Sequence, residues 1–190
     1  MSYLIETNRL GLRPIEEHEY LDRYLDWLCD PRVTRFLENR FFPTDYARLR
    51  EYVAEKSQST TALLLGIHIR ERGHEGWIGN IKLEPIDFIH RRGEIGLMIG
   101  DVESWGKGYG REAIAAVVSY GWDTLGLLRM TAGCYAQNEG SRRAFGACGF
   151  RVEGRYRKHI FCEGEFHDEI LLGLLKEDGV PLAEPIEGEL

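Results

Sequence analysis

Residues 94–113 place a short apolar strand, a glycine-rich turn and the start of an amphipathic helix in direct succession. Three glycines, Gly106, Gly108 and Gly110, alternate with other residues in the turn. Because glycine has no Cβ atom, successive backbone N–H groups of such a turn can face one anion at the positive end of the following helix. The segment therefore predicts a phosphate-binding turn in a protein of the α/β class.

The neighbours of these glycines exclude the two most familiar phosphate-binding loops. A P-loop requires Ser or Thr after its lysine, whereas Lys107 is followed by Gly108. A Rossmann turn requires a third glycine where this chain has Arg111, and an acidic residue near position 130, where it has Arg129, Met130 and Thr131. The phosphate must therefore be bound in another structural context.

Hydrophobic periodicity predicts the order of the remaining elements. Strands are expected near residues 9–13, 61–70, 77–86, 94–99, 130–135, 150–156 and 170–175, with 73–76 joining the second and third, and helices near 20–28, 44–57, 113–125 and 138–147. Asp30, which precedes Pro31, and Asn138 are predicted N-caps. This order fits neither a helical bundle nor a regularly alternating barrel. It predicts one domain over residues 1–175 and an acidic tail over residues 176–190.

Charge and cysteine content narrow the functional classes. The formal net charge is -7, of which the tail, with one Lys and five acidic residues, contributes 1 - 5 = -4. So acidic a chain is not expected to bind nucleic acid in general, because that binding requires many phosphate-neutralising cations. The four cysteines show no C-x-x-C spacing, and no apolar run approaches the roughly 18 residues of a membrane span. We therefore expect a cytoplasmic protein with reduced, mostly buried thiols and no membrane partner.

Residues 105–110, with the sequence Trp-Gly-Lys-Gly-Tyr-Gly, resemble the pyrophosphate loop of the GNAT acetyltransferases. That loop has Gln or Arg, two further residues, Gly, one residue, and then Gly or Ala, so that Trp105 departs from the pattern. A second family segment is matched by Asn138, Ser141, Phe145, Gly149 and Phe150. The resemblance covers almost the whole chain before the tail, and it is greatest for the RimJ/RimL-like branch, which contains ribosomal-protein N-terminal acetyltransferases, and for related acetyltransferases of amino-sugar nucleotides.

The resemblance implies an α/β (α+β) fold in which about seven strands form a mixed sheet, splayed by a V-shaped cofactor cleft and flanked by about four helices. It implies acetyl-CoA as the cosubstrate, without a metal. Backbone groups of Leu97, Met98 and Ile99 are expected to bind the pantetheine amides and the acetyl carbonyl. The expected contacts of the pyrophosphate are Gly106, Lys107, Gly108, Tyr109, Gly110 and Arg111. Asn138 and Ser141 are expected to contact the cosubstrate as well. The alternative for each is a purely structural role, in which its side chain satisfies the free N–H groups at the start of the helix.

The resemblance also implies direct attack of a primary amine on the thioester. An alkyl ammonium group with a pKa near 10 is almost wholly protonated at about pH 7, so that a group must accept its proton. Glu94 is the candidate general base, because it opens the strand that binds the thioester and its apolar neighbours are expected to raise its pKa. The alternative is a structural carboxylate paired with a residue such as Arg92. Phe145 stands where many family members have a proton-donating tyrosine, which leaves Ser141 as the candidate partner of the CoA sulfur.

The acceptor is not defined by the sequence. A protein N-terminus or a small-molecule amine is the prediction, and the amino group of a nucleotide-linked sugar is the alternative. A third possibility, suggested by Phe145, is a regulator that binds acyl-CoA without catalysis. The protein is expected to be a monomer or a homodimer. Basic residues in 151–159 are compatible with an anionic substrate or with a phosphate of the cosubstrate. His159, Cys162 and His167 do not have the spacing of a zinc site.

Overall fold

One mixed sheet forms the centre of the molecule in a computed structural model, which describes residues 2–16, 21–42, 44–71 and 76–179. The described residues form eight strands: β1 (Ile5–Glu6), β2 (Leu10–Pro14), β3 (Leu63–Ile69), β4 (Gly76–Asp87), β5 (Arg92–Ile99), β6 (Arg129–Tyr135), β7 (Arg151–Cys162) and β8 (Glu165–Leu175). They form five helices: α1 (Leu21–Cys29), α2 (Pro31–Thr34), α3 (Tyr46–Gln58), α4 (Tyr109–Asp123) and α5 (Glu139–Gly146). Short 3-10 segments cover Glu38–Phe41, Val102–Ser104 and Lys176–Asp178. None of the described helices is long and apolar enough to cross a membrane.

The strand order is β1-β2-β3-β4-β5-β6-β8-β7, and β5 and β6 are the parallel pair at its centre. Parallel neighbours need a crossover connection, which α4 provides. The two strands pair only at Arg92–Glu94 of β5, opposite residues 129–131 of β6. Beyond that point β5 remains paired with β4, and β6 remains paired with β8, so that their facing edges separate. The predicted V-shaped opening is confirmed.

The two faces of the sheet are covered by different helices. On one face, Ala113, Ile114, Val117 and Val118 of α4 are buried in the main core against strands β2 to β6 and β8. The predicted period of α4 is confirmed, because these apolar residues recur every three to four positions. On the other face, α1 and α3 form a second core around Trp77.

Several predicted elements differ from the structure. The described part of the chain has one strand and one helix more than expected. The additional strand, β1, has only two residues, too few to show an apolar alternation, and the additional helix, α2, has only four. The last two strands form one long hairpin. β7 ends at Cys162 instead of the predicted 156, and β8 begins at Glu165 instead of the predicted 170. The predicted caps Asp30 and Asn138 are confirmed. The predicted helix start at position 20, most of the 73–76 connection and residues 180–190 of the predicted tail lie outside the described residues.

Candidate active site

The edge of β5 that faces the opening carries the predicted pantetheine-binding residues. Leu97, Met98 and Ile99 lie beyond Glu94, the last residue of β5 that pairs with β6, and are half-buried. The indole Nε1 of Trp105 donates a hydrogen bond of 2.8 Å to the Ile99 carbonyl, so that this carbonyl is already engaged. Trp105, the residue that departs from the family pattern, therefore ties the glycine turn to the end of β5.

The glycine turn has the backbone conformation that its sequence predicts. Gly106 and Gly108 have φ values of 76° and 79°, in the left-handed region that favours glycine. Gly108 is the N-cap of α4, and as a glycine it has no side chain to cap the first N–H groups of the helix. A Cβ at Gly106 would have no neighbour within 4 Å, so the space beside the turn is open. The turn and the N-terminus of α4 together form a cradle suited to an anion.

Arg9, in the connection between β1 and β2, holds this turn, and the sequence did not indicate its role. Arg9 Nη1 donates a hydrogen bond of 3.0 Å to the Lys107 carbonyl, and Arg9 Nε lies 2.7 Å from Glu112 Oε2. The guanidinium carbon lies 4.6 Å from the centre of the Tyr109 ring. Thr7 and the Arg9 amide also donate to Glu112 Oε1, at 2.5 and 3.0 Å. Both ends of the turn are therefore fixed by the same side chain.

Burial opposes the negative charge of Glu112, but the hydrogen bonds from Thr7 and Arg9 outweigh it and hold the pKa of the Glu112 carboxyl below its usual range. Glu112 therefore stays ionised as the partner of Arg9. It also lies in the first turn of α4, where a carboxylate interacts favourably with the helix dipole.

The side chains of the turn divide between the core and the solvent. The buried Tyr109 donates its hydroxyl hydrogen bond to Glu71 Oε2 at 2.8 Å, so only its backbone remains for an anion. Lys107 is exposed, and Arg111 is half-buried with its carbonyl accepting a hydrogen bond from the Cys148 thiol at 3.3 Å. Burial raises the pKa of that thiol to about 11, which keeps it protonated.

The start of α5 contains the two other predicted cosubstrate contacts. Asn138 Oδ1 accepts a hydrogen bond of 3.1 Å from the Ser141 amide. The Ser141 hydroxyl forms a hydrogen bond with the Cys134 thiol of β6. Burial raises the pKa of this thiol, although the charge of Arg142 and the hydrogen bond from Ser141 oppose the shift. Phe145 is buried against Phe150, at 5.0 Å between ring centres, and so belongs to the core.

Glu94 lies at the apex of the opening, opposite Thr131 in the last pair of β5 and β6. The expectation that apolar neighbours surround it is wrong, because its side chain is exposed. Alternation along β5 directs Ile95 into the main core and Glu94 to the other face. Arg92, the predicted structural partner, instead pairs with Asp87 at 3.3 Å.

Two more carboxylates approach the same face from elements far along the chain. Glu169 of β8 lies over Gly133 of β6, where a Cβ would be 2.5 Å from Glu169 Oε1. Glu38 accepts a hydrogen bond from the Tyr135 hydroxyl, and Arg40 donates to the same hydroxyl at 2.9 Å. Burial, reinforced by Glu38, raises the pKa of Tyr135 to about 12. We name the side of the opening that carries Glu38, Glu94 and Glu169 the acceptor face.

A cavity of about 450 Å³ lies between α1, α2 and the tip of the β7-β8 hairpin. None of the predicted site residues lines it, although Arg40 connects it to the acceptor face. Across residues 2–16, 21–42, 44–71 and 76–179, no group of three or more His, Cys, Asp or Glu side chains is placed to hold a metal. His159, in particular, lies against Glu169 rather than against Cys162.

Comparison with known proteins connects this geometry to an activity. Residues 9–151 match the family model of the acetyltransferase (GNAT) domain. YoaA, an uncharacterized N-acetyltransferase of Bacillus subtilis (strain 168), is 31% identical over 175 residues, which cover 91% of this chain and 97% of YoaA. YdaF of the same organism, provisionally named a ribosomal N-acetyltransferase, is 33% identical over 100 residues, 53% of this chain and 54% of YdaF.

A crystal structure of spermidine N-acetyltransferase from Vibrio cholerae in complex with CoA and spermine has the same fold. Its TM-score is 0.79 at 21% sequence identity, and the alignment covers 90% of this chain and 98% of the other. At this level of identity the likeness is one of architecture.

Proposed function

This chain belongs to the GNAT acetyltransferase family and is an N-acetyltransferase that uses acetyl-CoA, and from that premise we propose that its acceptor is a cationic primary amine. The observation that carries the proposal is the acceptor face, where Glu38, Glu94 and Glu169 come from three different elements. Arg40 donates a hydrogen bond to Tyr135 beside them. Three carboxylates attract an ammonium group and repel the diphosphate of a nucleotide-linked sugar.

Two kinds of cationic acceptor are compatible with this face. A polyamine carries several ammonium groups, and the spermidine N-acetyltransferase with the same fold binds spermine in its crystal structure. A protein N-terminus carries one ammonium group, and the name of YdaF points to ribosomal proteins. We propose a polyamine or a similar small polycation as the acceptor, because several carboxylates exceed the need of one ammonium group.

We propose that acetyl-CoA lies in the opening between β5 and β6. The residues that would hold it are Leu97, Met98, Ile99, Gly106, Lys107, Gly108, Tyr109, Gly110, Arg111, Asn138 and Ser141. The unpaired edge of β5 would bind the pantetheine amides, and the left-handed glycines would leave room for the pyrophosphate beside the helix N-terminus.

We propose that Glu94 takes the proton of the ammonium group and that Ser141 hydrogen-bonds the CoA sulfur. Glu94 lies where the opening begins, on β5, the strand that would bind the thioester. The buried Phe145 has no proton to give. The exposure of Glu94 favours the role, because a cationic acceptor can reach it from solvent.

We also propose a cytoplasmic location. The four cysteines are free thiols, and Cys134, Cys148 and Cys162 are buried while Cys29 is exposed. Free thiols are usual in the reducing cytoplasm, where acetyl-CoA is also used.

The role of Arg9 gives a first prediction. Arg9→Met removes the hydrogen bond to the Lys107 carbonyl and the ion pair with Glu112, so we expect the KM for acetyl-CoA to rise about ten-fold, the effect of roughly 1.4 kcal/mol of lost positioning. The kcat should change little, because Arg9 lies behind the turn. Arg32→Met is the matched control, since Arg32 is an exposed arginine of α2 whose ion pair, with Asp30 at 2.6 Å, lies at the start of that helix. Equal KM values for both variants would contradict the role.

The acceptor proposal is tested by thiol release from acetyl-CoA. The purified protein is assayed with spermidine, with peptides that have a free N-terminus and with a nucleotide-linked amino sugar. We expect the highest kcat/KM with spermidine, and we expect it to fall as salt screens the acceptor face. Turnover restricted to the nucleotide-linked sugar would exclude a cationic acceptor. Binding of acetyl-CoA without turnover of any amine would support the non-catalytic regulator.

A further inference from the structure

A bulge in β7 brings His159 to the acceptor face. The register of β7 with β8 changes between the pair Tyr156↔Glu169 and the pair Ile160↔His167, so that three residues of β7 oppose Asp168 alone. Lys158, at the centre of the bulge, has a φ of 49°. A bulge of this kind redirects side chains that regular alternation would place elsewhere.

Asp168 fixes this bulge. Its Oδ1 accepts a hydrogen bond of 2.8 Å from the Lys158 amide, and its Oδ2 pairs with Arg155. The hydrogen bond from Lys158 and the charge of Arg155 hold the pKa of the Asp168 carboxyl below its usual range, so Asp168 remains a stable acceptor near neutral pH. The position of His159 is therefore set by the backbone.

The bulge places His159 against Glu169. His159 Nε2 lies 3.5 Å from Glu169 Oε2, and the two side chains are 57% and 23% exposed. The Tyr156 ring packs against the imidazole at 5.0 Å between centres. The pair therefore links a half-buried carboxylate at the opening with an imidazole that reaches solvent.

Glu169 and Glu94 lie on the same face of the sheet. Glu94 pairs with Thr131, Glu169 pairs with Tyr135, and residues 131, 133 and 135 of β6 share one face. Glu169 reaches back along β6 to Gly133, two residues beyond the partner of Glu94. The charge of Glu94 contributes to the raised pKa of Glu169.

The surroundings of Glu169 favour its protonated form. Burial is the main cause of its raised pKa, the charges of Glu94 and Glu38 add to it, and His159 opposes it. These three groups come from β5, from the 3-10 segment before α3 and from β7. Glu169 therefore takes up a proton more readily than an ordinary glutamate. His159, beside it, has an imidazole that can accept a proton and that reaches solvent.

We propose that Glu169 and His159 form the exit route for the proton that the acceptor amine loses at Glu94. The inference rests on the proposed function. The amine nitrogen bonds to the acetyl carbon as the C–S bond breaks, and the original ammonium group loses two protons. One ends on the CoA sulfur, and the other passes from Glu94 to Glu169, then to His159 and to solvent water. Both residues act through Glu94 and need not touch the acceptor.

The pH dependence of kcat tests this route. With acetyl-CoA and the amine that the protein accepts, Glu169→Gln and His159→Ala should each lower kcat about ten-fold at about pH 7, part of the roughly 10²- to 10⁴-fold that positioned proton transfer contributes. The loss should shrink as the pH approaches the amine pKa near 10, because the acceptor then arrives neutral. Added imidazole should restore His159→Ala, and the KM for acetyl-CoA should not change.

Glu165→Gln is the matched control, since Glu165 is an exposed glutamate of the same strand. It should show the wild-type profile. A wild-type profile for His159→Ala, or a loss that imidazole does not relieve and that persists at high pH, would overturn the relay. Absence of turnover by the unchanged protein on every amine would remove the proposed function and the relay together, whereas turnover with unaltered variants removes the relay alone.

A measurement of stability tests the placement of Glu169 without any turnover. A carboxyl whose pKa is raised on folding contributes stability below its unfolded pKa of about 4.3, and that contribution is lost as the pH rises through the folded pKa. The midpoint of urea unfolding of Glu169→Gln should therefore rise relative to wild type as the pH increases from about 4 to 7. Parallel curves for the two proteins would remove Glu169 from the charge cluster and overturn the relay.

Discussion

Glu94→Gln should lower kcat by about 10²- to 10⁴-fold at about pH 7, the range that a positioned proton acceptor contributes. Glutamine keeps the size of the side chain but cannot accept the proton of the ammonium group. The loss should diminish toward the amine pKa near 10, where the acceptor no longer needs a base. The KM for acetyl-CoA should remain unchanged, because Glu94 lies at the apex of the opening and not at the glycine turn. Steady-state kinetics over a pH series measures both quantities.

Glu55→Gln is the control for this experiment, since Glu55 is an exposed glutamate of α3 that pairs with Lys56 at 3.2 Å. It should retain the wild-type kcat at each pH. Full activity of Glu94→Gln across the series would refute the general-base role. An equal loss at every pH would instead indicate that Glu94 binds the ammonium group without taking its proton.

Local patterns account for the elements that the sequence predicted correctly. The apolar period of α4 and the alternating glycines before it depend on neighbours within a few positions, so both could be predicted. The opening between β5 and β6 came from the resemblance to the family. The predicted strand ended at residue 156, short of the observed end of β7, because the bulge interrupts the alternation. At the bulge, three charged or polar residues, 157–159, lie opposite one position of β8.

The parts of the site that were missed depend on distant pairs. Arg9 and Glu112 are 103 residues apart, and their ion pair follows from the packing of β2 against α4. The approach of Glu169 to Gly133 depends on the register of β8 with β6, which no single segment specifies. The direction of the Glu94 side chain, by contrast, follows from alternation along β5, since Ile95 is 2% exposed and its neighbour must face the other side.

Gly108→Ala is expected to have the second large effect, on the binding of acetyl-CoA. Gly108 has a φ of 79° at the N-cap of α4, and a residue with a Cβ in that region costs about 1–2 kcal/mol. If the backbone relaxes to relieve this strain, the N–H groups of the turn no longer converge on one anion. The dissociation constant for acetyl-CoA should therefore rise about 5- to 30-fold, as titration calorimetry would measure.

Two further variants show whether the backbone of the turn, and not its charge or the loss of any glycine, carries the binding. Gly146→Ala lies in α5, where a Cβ would meet nothing within 4 Å and φ is not left-handed, so affinity should not change. Lys107→Met removes the exposed charge beside Gly108 while it leaves the backbone conformation intact. It should weaken binding less than Gly108→Ala does, and its effect should fade at high salt. If Lys107→Met is instead the more damaging substitution, the pyrophosphate is held by the lysine ammonium group and the backbone cradle is secondary.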